Sequence, residues 1–301
     1  MLLLFCFQQR LLICCSWMLK INNYILIQIK NLIINSSIRS TQRFCTYIKF
    51  YEKIQLFDIW RLRQNIIIWS INNNNQWVCS QTIQEHNNRI NCLIINNNED
   101  LFISGSDDKT IKFWIKKNQW ICLQTITDHQ SEVYSLSLNE QQNQVISCGV
   151  DNLILIIEYS ELNRNWIVIQ KINVDCYGIR LCFIDDNLFT FKPYNGNLMY
   201  VYEKNSVSKQ FTKTKDIIVN QGNDYNILFP QQYIKQKQLL VNRHNEYVNF
   251  IRKRENGEFK LEQSIEFNTN LIFGSLSDDG DYFITWDESS KEIQIRKYTE
   301  E

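Results

Sequence analysis

Residues 76–86 read QWVCSQTIQEH, and 43 positions later residues 119–129 read QWICLQTITDH. Gln, Trp, Cys, Gln, Thr, Ile and His recur in the same order. A second pair, LFISGSDDKTI at 101–111 and QVISCGVDNLI at 144–154, is offset by the same 43. Two separate segments that share one offset define an internal repeat. A period of this length marks an array of supersecondary units, none of which buries its apolar face alone.

Weaker copies extend the array in both directions. NWIVIQKI (165–172) follows the second Trp-led segment at an offset of 46, the three extra residues falling in SELNRN. LFDIWRLRQNIIIW (56–69) precedes LFISGSDDKTIKFW (101–114) at 45. NLFTFKPYNGNLMYVY (187–202) is two short strands around a turn that contains Asn-Gly, a strong hairpin signal. QLLVNRHNEYVNFIRK (238–253) and DYFITWDESSKEIQIRK (281–297) share that outline. Each unit holds about four runs of 5–8 residues rich in Ile, Val, Phe and Trp, divided by polar turns, and no helical period competes. The reading is all-β, with four antiparallel strands per unit packed face to face around an axis, which leaves only short edges.

Composition fits, with one peculiarity. The chain has 301 residues, 44% hydrophobic and 21% charged, with 32 Lys and Arg against 32 Asp and Glu, so no global field points to nucleic acid or a membrane surface. The balance is uneven along the chain. Residues 1–75 hold nine basic and two acidic residues, the remainder 23 and 30. Eight Gly and two Pro are few for a turn-rich protein. Asn and Asp are expected to make the turns instead, in NNNED, NNNNQ and SDDGD, because they tolerate positive φ and bond their own backbone. Ten Cys without a C-x-x-C, and only three His, offer no zinc spacing, so the cysteines, among them Cys79, Cys92, Cys122 and Cys182, are expected as reduced core residues.

At the N-terminus, MLLLFCFQQRLLICCSWMLK is broken by QQR, lacks a small-residue cleavage site, and falls short of the roughly 18 apolar residues that span a bilayer. Residues 1–40 match the repeat poorly, and the repeat domain is read as 41–301. Targeting, anchoring and strand-donating roles all stay open for the first forty residues.

Together, His86, the strand to Ile95, SGSDDKTIKFW and the next His129 resemble the WD40-repeat β-propeller family. The naming dipeptide is missing where expected, since Trp114 precedes Ile115 and Trp69 precedes Ser70. Trp286-Asp287 lies one strand too early to be that dipeptide. Three-strand groups fall near 44–70, 88–115, 131–158, 177–203, 224–254 and 270–298, with a fourth strand after each but the last. The resemblance implies closure of the last blade by a strand from the opposite terminus, and YILIQIKNLII (24–34) is the candidate. Six blades, or an incomplete seven, are both compatible.

The resemblance also implies one hydrogen-bonded network per blade, from a His before the first strand, a Ser on the second, an Asp in the next turn and a Trp on the third. In the best copy these are His86, Ser104, Asp108 and Trp114. The second copy keeps His129, Ser147 and Asp151 and has Ile157 in place of Trp. The first blade has Ile59, Arg63 and Trp69. A buried indole N–H needs an acceptor, a hydroxyl accepts and donates, and an imidazole passes the chain to a carboxylate, so the set reads as scaffold and not as a nucleophile with its base. His244, in NRHNEY, is expected in solvent, and Trp77, Trp120 and Trp166 are expected to pack between blades.

No phosphate loop and no isolated carboxylate pair is present, so no enzyme activity, cofactor, metal or small-molecule substrate is expected. The reading is a non-catalytic scaffold that binds other proteins, with no nucleic acid partner and no stable membrane insertion, in the cytoplasm or nucleus. The resemblance places partners on the face of the loops before the first strands and of the second-to-third strand turns, at Arg89, Asn91, Asp107, Glu132, Tyr134 and Arg180. A narrower resemblance, W-[IV]-C-x-Q-T-I-x-[ED]-H over 76–133, is to the propeller subunit that targets iron–sulfur clusters to cytosolic apoproteins. A membrane-associated structural role would rest on the apolar N-terminus.

Overall fold

The computed structural model describes residues 45–51, 55–60, 64–74, 77–220, 222, 224, 229–277 and 279–299. The candidate closing strand at 24–34 lies outside them. The chain divides into two units, one of residues 1–91 with 116–121 and the other of 92–115 with 122–301.

Among the described residues the strands form six antiparallel sheets, five of four strands and one of three. The first contains β1 (Cys45–Tyr51), β2 (Gln55–Trp60), β3 (Ile66–Ile71) and β4 (Trp77–Ile83). The second contains β5 (Ile90–Ile95), β6 (Leu101–Ser106), β7 (Ile111–Lys116) and β8 (Trp120–Ile126), and the third β9 (Val133–Leu138), β10 (Gln144–Gly149), β11 (Leu153–Ser160) and β12 (Asn165–Asn173). The fourth runs through β13 (Gly178–Asp185), β14 (Leu188–Pro193), β15 (Leu198–Lys204) and β16 (Phe211–Ile218). The fifth has β17 (Gln232–Ile234), β18 (Leu239–His244), β19 (Tyr247–Lys253) and β20 (Phe259–Glu266). The last has β21 (Ile272–Leu276), β22 (Tyr282–Asp287) and β23 (Ile293–Lys297). In every sheet, strands adjacent in sequence are adjacent in space. The three-strand groups read from sequence coincide with these sheets. Only the fifth differs, its first strand shrinking to three residues beside a 3-10 turn at Lys235–Lys237.

Burial follows strand position. Middle strands are buried on both faces, as in Val145, Ile146 and Cys148 of β10 and Ile154 to Ile157 of β11, all at most 1% exposed. The fourth strands instead alternate. In β12 Ile167 and Ile169 face out while Trp166 is buried, and in β8 Ile121 and Leu123 face out while Trp120 is buried. Alternation follows from having one face packed and the other in water. It also corrects the cysteine reading. Cys148 and Cys182 are buried thiols, but Cys79, on outer strand β4, is exposed.

In the second unit, successive sheets touch through their first and second strands, β6 on β9 and β10 on β13. Apolar clusters fill the spaces between sheets. Phe113 of β7 stacks on Trp166 of β12 with ring centroids 4.7 Å apart. The packing role read for Trp166 is therefore observed.

The turn chemistry differs from expectation. Among the described residues nine non-glycine residues have positive φ, and seven of them are Glu99, Lys109, Gln142, Arg164, Lys209, Gln238 and Lys291. Only Asn152 and Asn245 are of the expected type. Asn and Asp act mainly through their side chains. Asn139 Oδ1 accepts from the N–H groups of Asn143 and Gln144, and Asp108 Oδ1 accepts from that of Thr110. Such side-chain bonds fix a turn so firmly that a neighbour with a Cβ is held in the left-handed region.

Candidate partner-binding face and its supporting networks

In the third sheet the polar set read from sequence closes into one network. His129, in the loop before β9, places Nε2 2.8 Å from Ser147 Oγ on β10 and Nδ1 2.8 Å from Asp151 Oδ2 in the following turn. The same carboxylate accepts from the N–H groups of Gln130 and Leu153. Burial pushes the Asp151 carboxyl up. The hydrogen bond and charge of His129, with the two backbone donors, outweigh that and hold it below the ordinary carboxylate range. Gly149 lets the loop close on the turn: a Cβ there would lie 2.5 Å from the Glu132 carbonyl, which accepts from Val150 N–H at 3.0 Å. Ile157 fills the tryptophan position with no exposure.

In the second sheet Trp114 Nε1 donates to Ser104 Oγ at 2.9 Å, and both side chains are fully buried. Asp108 binds the N–H and hydroxyl of Thr110 at 3.0 and 2.6 Å. His86, in the first unit, is 3% exposed.

A repeated residue whose role the sequence did not disclose joins neighbouring outer strands. The side-chain amide of Gln81 donates to Trp120 O at 2.7 Å and accepts from Trp120 N–H at 2.8 Å. Gln124 does the same with Trp166, at 2.6 and 2.8 Å, and Gln170 with Phe211, at 2.8 Å in both directions. These are the glutamines of the SQTI, LQTI and IQKI segments. Their recurrence was visible, but a repeated polar residue on an exposed strand gives no hint of a partner 39 to 42 positions away.

The largest departure lies between the fourth and fifth sheets. Arg180, Lys192, Asp224, Arg243 and His244 all have no exposure. Asp224 accepts from Arg180 Nη1 through one oxygen and from Arg243 Nη1 at 2.7 Å through the other. Arg180 Nε also donates to Phe229 O, and Arg243 Nη2 to Asn270 O. His244 Nε2 lies 3.0 and 2.9 Å from the carbonyls of Gly196 and Gly222, so Nε2 carries the proton. Lys192 Nζ donates to the carbonyls of Pro193, Asn195 and Gly196. Burial pushes Asp224 up, but the two guanidiniums and His244 bring it well below the carboxylate range. Burial lowers Lys192 to about 8, partly opposed by Asp224, and lowers Arg243 to about 10.

This cluster corrects two expectations. His244 is buried at the end of β18 and not solvated. Arg180 is an internal ion-pair partner and not a surface contact. Asn91, at 7% exposure, is likewise inside, where its Oδ1 accepts from Arg89 Nε at 2.9 Å. Short polar runs in sequence do not reveal whether the next element covers them. Of the remaining face candidates, Arg89, Asp107, Glu132 and Tyr134 are half-buried, and Ser131 Oγ donates to Glu132 Oε2. Trp286-Asp287 ends β22 and opens the next turn, where Asp287 accepts from the N–H and hydroxyl of Ser290 at 2.8 and 2.5 Å. It is a second-strand feature, as its position indicated.

Among the described residues, no group of three His, Cys, Asp or Glu is placed to hold a metal, and no helix is long and apolar enough to cross a membrane.

Four-stranded antiparallel blades repeated at a period near 43, one of them tied by a His–Ser–Asp network, define a β-propeller of WD40 type. Residues 77–114 and 120–158 match the WD domain, G-beta repeat family, so these two stretches are WD40 repeats within a β-propeller. Among solved structures, a chain of a crystal structure of the mitotic checkpoint complex is 15% identical with a TM-score of 0.70, covering 86% of this chain and 77% of that one. In all, 1504 chains of solved structures are similar. A likeness so widely shared identifies an architecture and not a partner. No curated protein matches the sequence.

Proposed function

We propose that this propeller is a non-catalytic scaffold that binds a protein partner within a multiprotein complex. One observation carries the reading: the polar set most suggestive of chemistry is committed internally. His129 uses one ring nitrogen on Ser147 and the other on Asp151, and Asp151 is further engaged by two backbone donors. Ser147 has no exposure from which to attack a substrate. Half-exposed near this set are Tyr134, of a type enriched at protein interfaces, and Asp107 and Glu132, whose charges can select a partner. The likeness to a chain of a multiprotein assembly agrees with such a role.

The test is Asp107→Lys with Glu132→Lys in one chain, assayed by affinity capture with mass spectrometry beside thermal unfolding. Loss of the captured partners at an unchanged Tm is the expected result. Partners retained in full would remove this face as the binding site.

A further inference from the structure

The chain holds two Asn-Gly pairs, Asn195-Gly196 and Asn256-Gly257. Both lie in turns of the second unit, the first between β14 and β15 and the other between β19 and β20, and both asparagines are exposed. Their glycines share one backbone conformation, with φ of +81° and +78°. They differ in what holds them. We propose that Asn195 is a site of self-modification, an asparagine deamidated through attack by its own chain and primed by Cys176 and Lys192, and that Asn256 is its protected counterpart. The proposal is independent of the scaffold reading.

The step is balanced by water alone. The Gly196 nitrogen gives up its proton and attacks Asn195 Cγ. The new C–N bond closes a succinimide ring, and the side-chain nitrogen leaves as ammonia with that proton. Water then adds to one of the two imide carbonyls, and the ring opens to aspartate or isoaspartate. Nothing is oxidised or reduced. Glycine suits the position after the asparagine because no Cβ crowds the attacking nitrogen.

Three features favour the attack at Asn195. First, the nucleophile is uncommitted: among the described residues nothing accepts from the Gly196 N–H. Second, the electrophile is polarised. Cys176 Sγ donates to Asn195 Oδ1 at 3.2 Å, the oxygen on which negative charge collects as the nitrogen adds. Third, the proton is loosened. Lys192 Nζ lies 3.5 Å from Asn195 O, the carbonyl of the same peptide whose nitrogen must be deprotonated, and a cation there favours the deprotonated form. Lys192 has no exposure, so its charge acts with little screening by water. Lys192 Nζ and His244 Nε2 also donate to Gly196 O, at 3.3 and 3.0 Å, which fixes the peptide beyond the glycine.

At Asn256 the corresponding atoms are engaged against the reaction. Gly257 N–H donates to Arg254 O at 2.9 Å, so the nucleophile must first break a hydrogen bond. Asn256 Nδ2 donates to Glu258 Oε2 at 2.8 Å, and its Oδ1 accepts from Glu258 N–H at 3.0 Å. The carboxamide is thus clamped at both ends, with a carboxylate beside the place where negative charge must develop. The products differ too. A carboxylate formed at residue 195 lies beside the Lys192 ammonium, where Arg180, Arg243 and Lys192 share the single carboxylate of Asp224, and is attracted there.

The full chain is incubated at neutral pH in water enriched in oxygen-18, either folded or unfolded in urea, then digested with trypsin in ordinary water and mapped by mass spectrometry. Trypsin separates residues 181–204 from 255–260, and fragment ions assign the label within each peptide. In the folded chain Asn195 is expected to take up label about tenfold faster than Asn256, the rate equivalent of one to two hydrogen bonds. In urea the two rates converge. Lys192→Met slows Asn195 about fivefold, the equivalent of one hydrogen bond. Labelling at Asn195 no faster than at Asn256 in the folded chain, a preference that persists undiminished in urea, or a folded Lys192→Met chain that modifies Asn195 as fast as the wild type overturns the proposal. The folded and unfolded wild type alone decide it where Lys192→Met does not fold.

Discussion

The third sheet and the junction of the fourth and fifth sheets solve one problem with opposite chemistry. Each must tie the loop entering a blade to the turn between its second and third strands. The third sheet uses His129, Ser147 and Asp151, a single carboxylate facing an imidazole. The later junction uses two arginines, a lysine and a histidine around Asp224, every side chain buried. The first arrangement is short and local, within 22 positions. The second reaches between sheets, over 44 positions from Arg180 to Asp224. A neutral-to-singly charged network can be lost piecemeal, whereas a buried cluster of full charges stands or falls with its one anion.

The sharpest way to break this comparison is Asp224→Asn. It leaves two guanidiniums in the interior without their carboxylate, and a loss of about 3–5 kcal/mol is expected in urea unfolding. His129→Ala in the third sheet should cost less, about 1–3 kcal/mol, because it strands one hydroxyl and one carboxylate that lies near solvent. Equal costs for the two would erase the distinction. A smaller effect, about 1–2 kcal/mol, is expected for Gln124→Met, which removes two hydrogen bonds to Trp166 at constant side-chain volume. Amide exchange at Trp166 should quicken in the same variant.

Smallest at neutral pH is Lys192→Met, within about 1 kcal/mol, since relief of a buried charge is offset by three carbonyls losing a donor. Its signature is the pH dependence. The folded-state value of Lys192, about 8, lies below the ordinary 10.5, so the unfolded chain holds the extra proton between them. Wild-type stability should therefore rise from pH 8 toward 10.5 relative to the methionine variant. Asp151 and Asp224 act in the same direction at acid pH. Both carboxyls are depressed in the fold, so their contribution, present above the ordinary carboxylate value, is lost as pH falls through the lowered ones.

The repeat made the fold legible. Strand groups, the three-strand group at the end and the His129–Ser147–Asp151 network all follow from a period of 43 and the residue types at fixed offsets. Legibility ended where function passed to residues outside the period. Lys192, Asp224, Arg243 and His244 have no counterparts in the well-matched blades, so nothing in their spacing announces that they meet. Arg180 looked like a surface contact because its position in the repeat is one, but a buried carboxylate 44 residues later takes it inside. Turn residues misled for a different reason. Asn and Asp hold the turns through side-chain oxygens, and the left-handed backbone falls on their neighbours Lys109, Glu99 and Gln142.

The glutamine contacts bear on how the outer strands survive in water. The fourth strand of a blade is an edge, with peptide groups pointing away from its sheet and open to recruitment by another chain. At Trp166 and Phe211 the neighbouring glutamine supplies a carboxamide that donates to the carbonyl and accepts from the N–H, reproducing one rung of a β-ladder without a strand. The start of each such edge is thereby occupied by a group that cannot propagate pairing. A side chain repeated for adhesion between blades also works as a plug against fibril-like growth along the rim, where Leu123, Ile167 and Ile169 would otherwise extend an exposed apolar edge.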